Sequence, residues 1–105
     1  MRSYLFVVRS KAQPGRDADY NAWYDGIHIG EVLQRDGFVA CQRYAVQGDS
    51  GDGRREYVAI YTLESDEPAV NITGLGSAMA DGTFTPTDSI DMASVRSELL
   101  SPDYV

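Results

Sequence analysis

Arg2–Arg9 (RSYLFVVR) holds an unbroken apolar run, Tyr4–Val8, of β-branched and aromatic side chains with no breaker, so this stretch is predicted to be a strand. Tyr4, Phe6 and Val8 fall on one side of it, and Leu5 and Val7 on the other. Pro14–Gly15 within Lys11–Arg16 marks a turn. Asp17 can then cap a helix in which Tyr20, Trp23, Tyr24 and Ile27 recur at spacings of three and four. Gly26 and Gly30 each weaken a helix by about 1 kcal/mol relative to alanine. A break is therefore expected over residues 26–30, followed by a short helical piece over 31–35. Asp36–Gly37 ends it.

Phe38–Gln47 reads as a second strand, and Gly48–Gly53 as a glycine-rich hairpin loop. Glu56–Leu63 reads as a third strand, with Tyr57, Ala59, Tyr61 and Leu63 opposite in facing to Val58, Ile60 and Thr62. Pro68 suits the first turn of a helix over about 67–81. Thr83–Thr87 is a loop, Ser89–Glu98 a last strand, and the remaining residues a short tail. The order is β-α-β-β-α-β in one domain over residues 1–105, the ferredoxin-like split pattern. Right-handed crossovers place both helices on the same face of a four-stranded antiparallel sheet. The other face then carries apolar residues with nothing to cover them. Pairing with a second copy to form a dimeric α/β barrel is the expected solution.

Charge narrows the partners. The formal net charge is −7 and the isoelectric point about 4.4, so nucleic acid and anionic membranes are not expected. The single cysteine, Cys41, cannot form an internal disulfide or a thiolate-rich metal cluster. It suits a reducing compartment, and the longest N-terminal apolar run, Tyr4–Val8, is too short for a signal core or a membrane span. A cytoplasmic protein is expected. Neither a phosphate loop, a dinucleotide fingerprint nor a nucleophile elbow is present in the sequence. No metal site and no cofactor are expected.

The candidate chemistry gathers around His28, the only histidine and the natural proton carrier near neutrality. Asp25 and Glu31, three residues to either side, could orient its ring if the segment stays helical. Tyr61, central in its strand, is the phenol expected to line a cavity and hold developing negative charge. Trp23, Tyr24 and Asn21 lie at the same helix face or rim and are candidate ligand contacts. Arg43 sits mid-strand among apolar neighbours, where an unpaired charge is costly. It is expected to pair with a carboxylate across the dimer or to bind an acidic ligand group.

The stretch Tyr20–Val46 (YNAWYDGIHIGEVLQRDGFVACQRYAV), and with it Tyr57–Glu64, resembles the EthD-related small proteins of the dimeric α/β-barrel superfamily. The W-Y-D-x-x-H stretch corresponds to Trp23, Tyr24, Asp25 and His28, followed by Glu31, Leu33, Gly37, Phe38, Arg43 and Tyr44. Gly30 stands where such relatives often carry proline. The resemblance covers residues 4–65 well and the C-terminal third poorly. It implies the barrel fold and leaves the activity open, since the superfamily includes cofactor-independent monooxygenases, cyclases and isomerase-like proteins.

Three readings follow. The first is a cofactor-independent enzyme acting on a small aromatic or polyketide-like carbonyl compound by proton transfer (a cyclase, isomerase or lyase), with a cofactor-free monooxygenase as its variant. In it His28 is the general acid or base, Asp25 orients it, and Tyr61 or Tyr24 holds charge. The second is a non-catalytic binder of a small hydrophobic molecule. The third is a structural dimer without a site.

Overall fold

A computed structural model of the chain describes residues 1–48 and 50–104. Strand β1 (Arg2–Ala12) lies inside the sheet, between β3 (Glu56–Ser65) and β4 (Ile90–Leu100), and β2 (Phe38–Ala45) flanks β3. The order β2-β3-β1-β4 is antiparallel throughout, the ferredoxin-like arrangement. The register pairs Phe6 with Tyr61 and Tyr4 with Leu63 on one face, and Val7 with Ile60 and Arg9 with Val58 on the other. Both alternations read from the sequence therefore hold. Asp49, in the Gly48–Gly53 loop, and Val105, in the tail, lie outside the described residues.

The helix-side face forms the core. Phe6, Ala59, Tyr61 and Leu63 from the sheet meet Tyr20, Trp23, Tyr24 and Val32 from the first helical rod, with Phe38, Ala78 and Phe84. Large rings dominate this layer, and truncating such a buried ring to alanine costs about 3–5 kcal/mol. Helix α3 (Pro68–Ala80) starts on its proline, as expected.

Four local expectations are corrected. Strand β1 runs on to Ala12, because β4 pairs with Lys11 and Ala12 beyond an irregularity at Arg9. Asp17 does not cap the helix; Arg16 holds that position without a side-chain bond, and the Asp17 carboxylate accepts the Tyr57 hydroxyl at 2.8 Å. The rod is not broken at residues 26–30. Helix α1 (Asp17–Trp23) passes through a π-turn (Tyr24–His28) into α2 (Ile29–Leu33) with helical dihedrals at each junction. The Ile29 N–H bonds back five residues to Tyr24, which defines the π-turn. Packing of Trp23, Tyr24, His28 and Val32 outweighs the low propensity of the two glycines.

The uncovered face is the fourth. It carries Leu5, Val7, Val58 and Ile60 as anticipated, together with Tyr44 and with Leu100, which lies in β4 and not in the expected tail, but it is not uniformly apolar. Glu56 pairs with Arg96 at 3.1 Å and with Arg9 at 3.8 Å across it. Val7 and Val58 are buried within the single chain, whereas Leu5, Tyr44 and Leu100 remain exposed. The apolar stems of long charged side chains can cover neighbouring methyl groups in this way.

Candidate functional site

The π-turn determines which side chains meet. In an uninterrupted α-helix, residues five apart point about 140° away from each other. The wider turn brings residue i+5 back over residue i. His28 consequently stacks on Trp23, with ring centroids 4.5 Å apart and planes 16° from parallel. Tyr24 meets the imidazole edge-on at 5.0 Å, and Phe84, from the connection between α3 and β4, does so at 5.7 Å. His28 is thus boxed by three rings and is 9% exposed. Burial disfavours the imidazolium and lowers its pKa to about 4; Glu31 opposes this and Arg43 adds to it.

Neither flanking carboxylate orients the ring. Glu31 turns to residue 85, accepting the Thr85 N–H at 2.9 Å and its hydroxyl at 3.0 Å. Asp25 accepts a 3.0 Å bond from Nη1 of Arg43. The orienting role expected of Asp25 is therefore replaced by a salt bridge within the chain, which also supplies the partner that Arg43 was expected to find across a dimer. His28 Nδ1 is buried without a hydrogen-bond partner among the described residues.

Arg43 projects from β2 into a cluster of phenols. Its guanidinium lies 4.2 Å from the ring centre of Tyr24, 5.3 Å from Tyr20 and 5.4 Å from Tyr57, close enough for cation–π attraction. Asp25 takes only one of its nitrogens, and Nε and Nη2 are buried and unpartnered. Tyr61 is buried at the sheet with its hydroxyl unpartnered, as is Oδ1 of Asn21. Burial pushes the Tyr61 phenol far up, with Tyr24 and Cys41 beside it adding to the effect. Burial likewise raises Tyr24, and lifts the Cys41 thiol to about 11. At neutral pH these groups are uncharged, and Arg43 is the cation among them.

The structure thus links Trp23, His28, Tyr24, Arg43 and Asp25 by direct contact, and Tyr24 borders both His28 and Tyr61. Phe84 and Thr85 also belong to this neighbourhood and were not singled out from sequence. An aromatic residue in the otherwise polar stretch Thr83–Thr87 was the available signal. Open clefts lie elsewhere. One of about 600 Å³ is lined by Lys11, Arg54, Glu56, Asp91 and Arg96, whose charges are paired. No group of three or more histidine, cysteine or carboxylate residues placed to hold a metal occurs among the described residues. None of the described helices is long and apolar enough to cross a membrane.

No protein-family model matches the chain, and no curated protein is similar to it in sequence. Solved structures do share its fold. A monooxygenase from the gene ActVA-Orf6 of Streptomyces coelicolor, solved with the ligand nanaomycin D, is 18% identical over 99% of this chain and 90% of its own, with a TM-score of 0.61. A Bacillus cereus structure named as a putative antibiotic biosynthesis monooxygenase is 16% identical over 96% and 93%, with a TM-score of 0.59. A protein of unknown function from Nitrosomonas europaea is 12% identical over 96% and 89%, with a TM-score of 0.57. The chain has the ferredoxin-like α+β fold of these structures, a class defined by architecture and not by one reaction.

Proposed function

We propose that the layer between the helical rod and the sheet is the site of a cofactor-independent enzyme acting on a flat phenolic or polyketide-like carbonyl compound. The observation that carries this reading is the set of buried polar atoms left unpartnered along one layer: His28 Nδ1, Tyr61 Oη, Arg43 Nε and Nη2, and Asn21 Oδ1. Buried polar groups are nearly always satisfied, and exceptions concentrate where a ligand or water completes the network. His28 accepts the substrate proton through Nδ1, and an oxyanion forming nearby raises its basicity. Arg43 and Tyr61 donate to that oxyanion as it develops. Aromatic walls from Trp23 and Tyr24 suit a flat ring.

The likeness in fold to two proteins named as monooxygenases favours molecular oxygen as the second reactant. In that variant the deprotonated substrate carbon passes an electron to oxygen and captures it as a hydroperoxide. Loss of water then leaves a new carbonyl, so the carbon exchanges two hydrogens for one oxygen and the second oxygen atom departs as water. Without oxygen, the same first step leads to cyclisation, isomerisation or elimination.

Two copies stacked through the uncovered sheet face complete the reading. Leu5, Tyr44 and Leu100 are exposed there, and Met92, Val95 and Leu99 are exposed along the edge strand β4. The relationship to EthD-related proteins rests on Trp23–His28, and the lone thiol of Cys41 fits a cytoplasmic setting.

Nanaomycin D titrated against the fluorescence of Trp23, the only tryptophan, tests the site. Saturable quenching is expected, weakened at least about tenfold in Arg43→Met by loss of its charged donors. Absence of saturation at millimolar ligand overturns the reading. With an anthrone as substrate, oxygen uptake selects the monooxygenase variant. Sedimentation at twice the chain mass of 11.5 kDa supports the dimer, and a monomer at micromolar concentration removes it.

A further inference from the structure

We propose that the connection between α3 and β4, residues 81–89, is the door of the His28 site, with Phe84 as its plug and the Glu31–Thr85 contact as its latch. This deepens the reading above, because a door matters only if something enters. The connection crosses the surface: Asp81, Gly82, Thr83, Thr85 and Pro86 are exposed, while Phe84 between them is 5% exposed. Its ring closes one side of the box around the imidazole. Withdrawing it would open His28 and the stacked Trp23 from the surface without moving a strand.

The plug is held by the burial of its ring, by the Arg35 guanidinium 5.9 Å from the ring centre, and by a small set of specific bonds. The Thr85 N–H and hydroxyl both donate to the Glu31 carboxylate, and the Thr85 carbonyl accepts the Trp23 indole N–H at 2.9 Å. On the α3 side, the Phe84 N–H bonds to the Ala78 carbonyl at 3.1 Å. Gly82 lies there at φ +81°, a conformation open to glycine at low cost. The latch thus joins the two sides of the box by a few polar contacts at Thr85, an exposed position, where local opening is cheap compared with unfolding. The indole N–H is part of the latch, which makes it a direct reporter of opening.

The test is hydrogen exchange of the Trp23 indole N–H by NMR, compared with amides of the β1–β3 ladder, in the full-length protein. Exchange of a group released by local opening scales with the open population. Glu31→Ala removes a charged acceptor, so the indole rate is expected to rise about tenfold or more, with the ladder amides unchanged. Glu31→Gln, which keeps an acceptor without the charge, is expected to fall between. An unchanged indole rate in Glu31→Ala, or equal acceleration of indole and ladder, overturns the proposal. Because no ligand is involved, a door that opens in a protein that binds nothing would refute the proposed function alone.

Discussion

His28 links the fold to solution pH in a way that can be measured. In the native protein the imidazole has a pKa of about 4, against 6.5 when unhindered, because three rings exclude the water that would stabilise its charge. An unfolded chain regains the ordinary value. Between these limits the unfolded state binds a proton that the native state refuses, so stability falls as pH drops through the window from about 6.5 to about 4. Above the window His28 contributes no pH dependence. The difference amounts to about 3 kcal/mol lost on going from pH 7 to pH 4, a large share of the roughly 5–15 kcal/mol that holds a typical domain. Urea unfolding at pH 4, 5, 6 and 7, at fixed protein concentration, would compare the native chain with His28→Phe. Carboxylate contributions are common to both proteins and cancel in the comparison. The native chain should lose about 3 kcal/mol more than the variant. A folded-state imidazole that titrates near 6.5 by NMR, or equal pH slopes in the two proteins, would refute the argument.

Two further substitutions probe the same layer. Tyr61→Phe removes a buried hydroxyl that has no partner, so thermal unfolding should show unchanged or greater stability, by up to about 1 kcal/mol. A loss of 2 kcal/mol or more would mean that the hydroxyl is satisfied. Gly37→Ala places a methyl 2.9 Å from the Glu64 carbonyl oxygen at a backbone φ of +87°, and urea unfolding should register a loss of about 2–3 kcal/mol.

The sheet was legible because successive side chains of a regular strand point to opposite faces. Phe6 and Tyr61 could be assigned to one face and Val7 and Ile60 to the other from position alone. Alternation did not show how Arg9, Glu56 and Arg96 would pair across the second face, since long side chains reach beyond their own register. The rod was misread at Gly26 and Gly30 because intrinsic propensity counts only local cost, whereas tertiary packing of neighbouring aromatic rings decided the outcome. His28 stood out as the sole histidine, but its neighbours did not follow from sequence spacing. Asp25 found Arg43, 18 residues away, and Phe84 arrived from a loop 56 positions further along the chain than His28. Contacts of that kind depend on how elements dock, and no local pattern encodes them.

The turn Tyr24–His28 takes up one residue more than an α-helical turn would, so the residues after it keep their face relative to Trp23. Deleting Gly26 would let the rod close into an ordinary α-helix in which His28 stands four residues after Trp23, about 40° from it around the axis. The imidazole would then stay on the face of the indole. An alignment of this chain with one whose helix lacks the extra residue therefore needs a single-position gap inside the turn; without it, His28 would be matched to a side chain on another face of the rod.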